Sequence, residues 1–129
     1  MPVVIIAGSP SDKDHVKKLT DALETNKIMW QSHYASAHKQ PQEVLKIIKS
    51  YENRNDIVYI TVAGRSNALS GFVAANSNFP TLACPPFADK TDMLVNIHST
   101  LQMPSQVPVM TVLDAANCVL AAMRILNLK

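Results

Sequence analysis

The sequence predicts an α/β protein: a three-layer αβα sandwich around a doubly wound, all-parallel sheet of five strands. Three observations carry this reading. Five short, mostly apolar runs rich in β-branched residues alternate with five stretches of helical periodicity. Runs that stay apolar instead of alternating suit a sheet covered on both faces. Connections of helix length between parallel strands are right-handed crossovers, which limits the topologies to a few. A chain of 129 residues suits one compact domain, so residues 1–129 are expected to form a single domain.

The first strand is read at Val3 to Ala7, followed by a helix with Val16, Leu19, Thr20 and Leu23 on one face. Ile28 to Gln31 is a weaker second strand. The next helix starts at Pro41, a residue suited to a first turn because its missing N–H has no partner there. It carries Val44, Leu45, Ile48 and Tyr51. Ile57 to Val62 is the clearest strand, and Ala68 to Asn76 a short helix of small residues. Pro80 to Ala83 makes a brief fourth strand, followed by a helix from about Thr91 that presents Leu94, Ile97 and Leu101. Val109 to Leu113 is the fifth strand, and Asp114 caps a terminal helix running towards Leu126. The economical strand order is 2-1-3-4-5, a flavodoxin-like arrangement whose ligands bind where the winding reverses, beyond the carboxyl ends of strands 1 and 3.

Composition excludes several function classes. A net charge of +2 lacks the dense basic patch of a nucleic-acid binder, and 5% aromatic residues leave little for base stacking. Neither a nucleic acid nor a membrane is expected as a partner. The N-terminal run from Met1 to Ile6 has no basic segment and is short, so no signal peptide or membrane span is expected. Cys84 and Cys118 have no neighbouring thiol and read as buried free thiols in a reducing, cytoplasmic compartment. Charge is uneven: residues 1–65 hold nine of the twelve Lys and Arg, and 66–88 hold no Asp, Glu, Lys or Arg. A charge-poor C-terminal half points to surface hidden against other copies of the chain, a homo-oligomer. The terminal helix, apolar on more than one stripe, is expected to pack on a neighbour.

Three loops adjoin the expected ligand edge. Gly8-Ser9-Pro10-Ser11-Asp12 offers backbone N–H groups and two hydroxyls at a helix N-terminus, where the dipole favours an anion such as phosphate. A capping box between Ser11 and Asp14 explains the same residues without a ligand, and both readings stay open. Ser36-Ala37-His38-Lys39 places a hydroxyl, an imidazole that titrates near neutrality and an ammonium in one loop. Ala63-Gly64-Arg65-Ser66-Asn67 allows close backbone approach at Gly64, or is a turn with a solvated arginine. The four histidines show no metal-ligand spacing among them, so no metal is expected, and His15, His33 and His98 are read as structural or surface residues. Cys84-Pro85-Pro86 ends strand 4, where a buried thiol is commoner than a nucleophile.

Together these four segments, in this order and spacing over nearly the whole chain, resemble the aminoimidazole ribonucleotide carboxylases of purine biosynthesis. One class of that family, the mutases, rearranges the N-carboxylated nucleotide. It typically has Ser-Ala-His-Arg after strand 2 and Ala-Gly-Gly-Ala-Ala-His after strand 3. Lys39, Arg65, Ser66, Asn67 and Ala68 depart from that pattern and resemble the second class, which carboxylates the nucleotide directly with carbon dioxide and needs neither ATP nor a cofactor. The resemblance implies that Gly8, Ser9, Ser11 and Asp12 bind the ribose phosphate portion, with Ser36 and Lys39 at the phosphate end. Gly64, Arg65, Ser66 and Asn67 would border the imidazole and the new carboxyl group. His38 is the expected catalytic proton carrier, and a homo-octamer the expected assembly. The competing readings are the mutase on the same scaffold and a non-catalytic flavodoxin-like binding or receiver module. Ala63-Gly64-Arg65 lacks the Asp a receiver would need.

Overall fold

The computed structural model describes residues 2–128. β1 (Val3–Ala7) leads through a 3-10 turn (Pro10–Asp12) into α1 (Lys13–Thr25), then β2 (Trp30–Tyr34) and α2 (Pro41–Tyr51). β3 (Val58–Val62), α3 (Leu69–Asn76), β4 (Thr81–Ala83), α4 (Lys90–Leu101), β5 (Met110–Thr111) and α5 (Ala115–Leu126) complete the chain. Every strand pair is parallel and the order is β2-β1-β3-β4-β5, as expected.

β1 and β3 are buried along their whole length, and the pleat divides their side chains between two cores. Val3, Ile5, Ala7, Val58, Ile60 and Val62 face α1 and α5. Val4, Ile6, Ile57 and Tyr59 face α2 and α3. Because neither face of these strands meets water, their sequence is apolar except for Thr61, whose buried hydroxyl is bonded to that of Ser70 (2.7 Å); each buried Val or Ile contributes about 1.5–3 kcal/mol of transfer free energy.

Several boundaries and faces differ from the expectation, each for a physical reason. β2 runs over Trp30–Tyr34 rather than from Ile28, because Ile28 closes α1. Its N–H reaches Leu23 O (2.9 Å) and that of Lys27 reaches Glu24 O (3.0 Å), a Schellman ending in which Lys27 takes a left-handed φ of 56°. Ile28 then packs on the first core, and pairing begins at Val3 opposite Trp30. β5 is shorter than expected because its one neighbour, β4, is itself three residues long. The N-terminal cap at the first loop is Ser9, whose side chain accepts from Ser11 N, in place of a Ser11–Asp14 box. α5 is capped by Asp114, which accepts from Asn117 N. Its Ala115, Val119 and Ala122 lie in the core shared with α1, so much of that helix belongs to its own fold.

The largest difference is α4. Leu94 and Leu101, expected to face inwards, are 56% and 61% exposed, whereas Asn96 and Thr100 are buried. α4 is attached by polar bonds: Asn67 N donates to Ser99 Oγ (2.7 Å), and Asn67 Nδ2 donates to Thr100 Oγ1 (3.1 Å). Periodicity tells which residues share a helix face, not which face the fold covers.

Two outcomes follow for stability. His33 Nε2 donates to the Tyr51 hydroxyl (2.9 Å), which itself donates to Gln31 Oε1. Burial pushes the His33 pKa below its ordinary value, with Glu43 opposing in part. The unfolded chain therefore binds the proton more readily, so this contribution is complete above about pH 6.5 and is lost as pH falls below it. Urea midpoints from pH 6.5 to 5.5 should decline less in His33→Gln than in wild type; parallel declines would remove His33 as the cause. Asn67→Ala strands buried polar partners in α3 and α4 and should lower stability by about 1–3 kcal/mol in urea unfolding. A loss under about 0.5 kcal/mol would show that α4 is held by other means.

Candidate active site

All strands run the same way, so the loops after β1, β2, β3 and β4 gather at one edge of the sheet. The backbone ladder continues into them, with Gly8 N donating to Val62 O (2.9 Å), Ala35 N to Ala7 O (2.9 Å) and Cys84 N to Thr61 O (2.9 Å). α1 leaves β1 on one side of the sheet and α3 leaves β3 on the other. The loops consequently part beside β1, and a crevice opens between them.

That crevice holds a cavity of about 170 Å³ walled by Gly8, Ser9, Asp12, Ser36, Ala37, His38, Gly64, Arg65 and Ser66, with Ala63, Ala68 and Leu69 completing the lining. Seven of the residues named from sequence as site candidates besides His38 and Asp12 thus meet there or next to it: Gly8, Ser9, Ser36, Gly64, Arg65 and Ser66 on the wall, and Lys39 beside His38 in the same turn. A second, wider cavity of about 480 Å³ shares Asp12, Gly64 and Arg65 with it and extends past Ser11, His15 and Lys18 to Pro86, Asp92 and Asn96. Ser11 faces this wider space.

The local chemistry is consistent with recognition of a polar, anionic molecule. The hydroxyls of Ser9 and Ser11 are 2.9 Å apart and orient one another. Asp12 stands between the two cavities; burial raises its carboxyl above the usual range, while His15 and the Ser9 N–H pull it back. Ser36 Oγ accepts from Lys39 N (3.2 Å) and Gln40 Oε1 accepts from Ser36 N (3.2 Å). These bonds shape the turn that presents the His38 imidazole and the Lys39 ammonium, both exposed.

Asn67 behaves differently from its loop neighbours. Its side chain turns inwards and is 6% exposed. Its Oδ1 accepts from Ser70 N (3.1 Å), and Nδ2 donates to Ser70 Oγ (2.9 Å) and Thr100 Oγ1. It anchors the loop from behind, while Arg65 and Ser66 form the wall.

Sequence reasoning missed Asp92, Asn96 and Thr100, which follow one another at i, i+4 and i+8 on α4. That polar stripe beside the apolar Met93, Leu94, Val95, Ile97 and Leu101 was the available signal. His15, read as structural or surface, lies 3.0 Å from Cys84 O and 3.4 Å from Cys84 Sγ. Cys84 and Cys118 are both fully buried free thiols, matching the reading from sequence. Cys118 as a donor, with His15 adding to it, draws the Cys84 thiol below its ordinary value against the opposing effect of burial. The same pairing pushes the Cys118 thiol up. Neither cysteine lines either of the two cavities. Among the described residues no group of three His, Cys, Asp or Glu side chains is arranged to hold a metal ion, and no helix is long and apolar enough to cross a membrane.

Comparison with known proteins places this arrangement. The family model described as AIR carboxylase matches residues 2–129. The phosphoribosylaminoimidazole carboxylase of Archaeoglobus fulgidus is 50% identical over 129 residues, covering 100% of this chain and 71% of that protein. The enzyme of the same name from Treponema denticola is 42% identical over 127 residues, covering 98% of this chain and 79% of its own. The crystal structure of Treponema denticola PurE is similar with a TM-score of 0.90 and 41% identity, over 98% of this chain and 80% of that one. With one fold, one strand order and likeness running from end to end, the chain belongs to the AIR carboxylase family.

Proposed function

We propose that this chain carboxylates 5-aminoimidazole ribonucleotide with carbon dioxide, giving 4-carboxy-5-aminoimidazole ribonucleotide in de novo purine biosynthesis, without ATP. The observation that carries the reading is the small crevice whose walls bring together His38, Ser9, Asp12, Arg65 and Ser66. Family membership supports the reaction and the substrate class. The choice of carbon dioxide over rearrangement of a carbamate rests on Lys39 and on Arg65-Ser66-Asn67-Ala68, where the mutase class typically has arginine and Gly-Ala-Ala-His.

In this mechanism the ring carbon beside the exocyclic amine, an enamine-like nucleophile, forms a bond to the carbon of carbon dioxide. One C=O electron pair moves onto oxygen and yields a carboxylate. The ring carbon is then tetrahedral and loses its proton to His38, which restores aromaticity. Arg65 and nearby backbone donors stabilise the developing carboxylate, most effectively where water is excluded. Gly8, Ser9, Ser11 and Asp12 hold the ribose phosphate portion, with Ser36 and Lys39 at its phosphate. Asn67 serves that wall by fixing the loop. Residues 1–129 act as one catalytic domain with no cofactor or metal.

The working form is a cytoplasmic homo-oligomer, an octamer by the family resemblance. The charge-free stretch 66–88 supports it, as do Leu94, Val95 and Leu101, which are exposed on α4. Light scattering at micromolar concentration should show a multiple of the 14.1 kDa chain mass. An active monomer would overturn this assembly.

Incubating the protein with aminoimidazole ribonucleotide and bicarbonate, in the absence of ATP, should yield the carboxylated product. Turnover of the N-carboxylated nucleotide without added bicarbonate would favour the mutase instead. His38→Asn should lower turnover by roughly 10²–10⁴ while leaving nucleotide affinity nearly unchanged; turnover within about twofold of wild type would remove His38 from the proton transfer.

A further inference from the structure

Arg65 lines both cavities, yet its side chain is 60% exposed and stands on a loop. An arginine so placed has many rotamers available and would lose that freedom on meeting a substrate. Here it is already held: Arg65 Nη2 donates to Asp92 Oδ1 at 2.6 Å. Asp92 lies in the first turn of α4, lines the wider cavity and is absent from the walls of the smaller one.

The carboxylate of Asp92 is itself held in place. Its Oδ2 accepts from Ala88 N (2.9 Å) and from Asn96 Nδ2 (3.4 Å). Asn96 is 4% exposed, and its Nδ2 donates to Pro86 O at 2.6 Å. The same carboxamide lies against Gly64, where a Cβ would come within 3.5 Å of Nδ2. One oxygen of Asp92 is therefore bound to the entry of α4 and the turn after β4, and the other is left for Arg65.

We propose that Asp92 is a positioning residue for the reaction: through Arg65, and without touching substrate, it aims the guanidinium at the place where the new carboxylate forms. The proposal rests on the carboxylation reading above. A purely structural role is the alternative, since Asp89, the N-cap of α4, accepts from Asp92 N (2.8 Å), and Asp92 returns a bond to the preceding residue in the manner of a capping box. The two roles separate chemically. An asparagine at 92 can still accept from Ala88 N, but it no longer attracts the guanidinium as a charge.

The test is a double-mutant cycle on the full chain, assayed with aminoimidazole ribonucleotide and varied bicarbonate. Asp92→Asn should reduce kcat/KM by roughly 5–50-fold, mainly through the inorganic carbon substrate, with the nucleotide KM within about twofold. In an Arg65→Gln background, Asp92→Asn should add less than about a twofold change, because its route of action is already gone. The melting temperature should move by about 3 °C or less, since an exposed ion pair adds little stability. Asp92→Ser, which removes the charge and keeps a hydroxyl, serves as a second variant and should show the same dependence on Arg65. Multiplying losses in the two backgrounds, or a loss that tracks the melting temperature, would overturn the proposal. Wild-type turnover in Asp92→Asn would overturn it while leaving the carboxylation reading intact. A wild-type protein inactive with bicarbonate would overturn both.

Discussion

Parallel pairing of β1 with strands on both sides is the constraint from which the rest of the molecule follows. Parallel neighbours require long crossovers, and the crossovers require helices on both faces. With β2 on one side of β1 and β3 on the other, the crossovers reverse direction at β1, so that α1 lies on one face and α2 and α3 on the other. The crevice beyond β1 and β3 is therefore a consequence of topology, present before any side chain is chosen. The side chains then give it chemistry: two hydroxyls, a half-buried carboxylate, an imidazole and a guanidinium around small residues.

α4 shows how the same frame is completed by polar bonds. Its inward face carries Asn96 and Thr100, and its apolar face is turned outwards. Asn67 joins the loop after β3 to α4, while Asp92 and Asn96 join α4 to Arg65 and to the turn after β4. A hydrophobic interface would hold the helix at least as firmly but without a defined direction at each residue. Hydrogen bonds impose distance and angle, which suits a helix whose task is to place a loop.

The electrostatic arrangement follows burial. Asp12 sits where desolvation opposes its charge, and a carboxylate in such surroundings gains from donors supplied by a bound molecule. Histidine and lysine at the outer turn remain exposed, able to meet a charged ligand as it arrives. In the proposed reaction the neutral gas enters the dry end, and the anionic part of the nucleotide stays at the wet end. That division agrees with the small, uncharged residues behind the crevice.

The fold class, the strand order and four of the loops were legible in the amino-acid sequence, because continuous apolar runs, helical periodicity and loop residues are local properties. Gly8, Ser9, Asp12, Ser36, His38 and Arg65 could be placed at one edge from the order of the strands alone. Ile28, Asn67 and Asp92 could not be assigned in that way. Ile28 looks like a strand residue until the end of α1 needs it, and Asn67 looks like a ligand contact until its carboxamide finds Ser70 and Thr100. Asp92 looks like a solvated first-turn acid until Arg65 arrives from 27 positions earlier. What the sequence by itself determined was which residues share an element and a face; which face is covered, and which polar group meets another, only the tertiary structure decided, because hydrogen bonds and burial depend on distances between segments that local patterns do not contain.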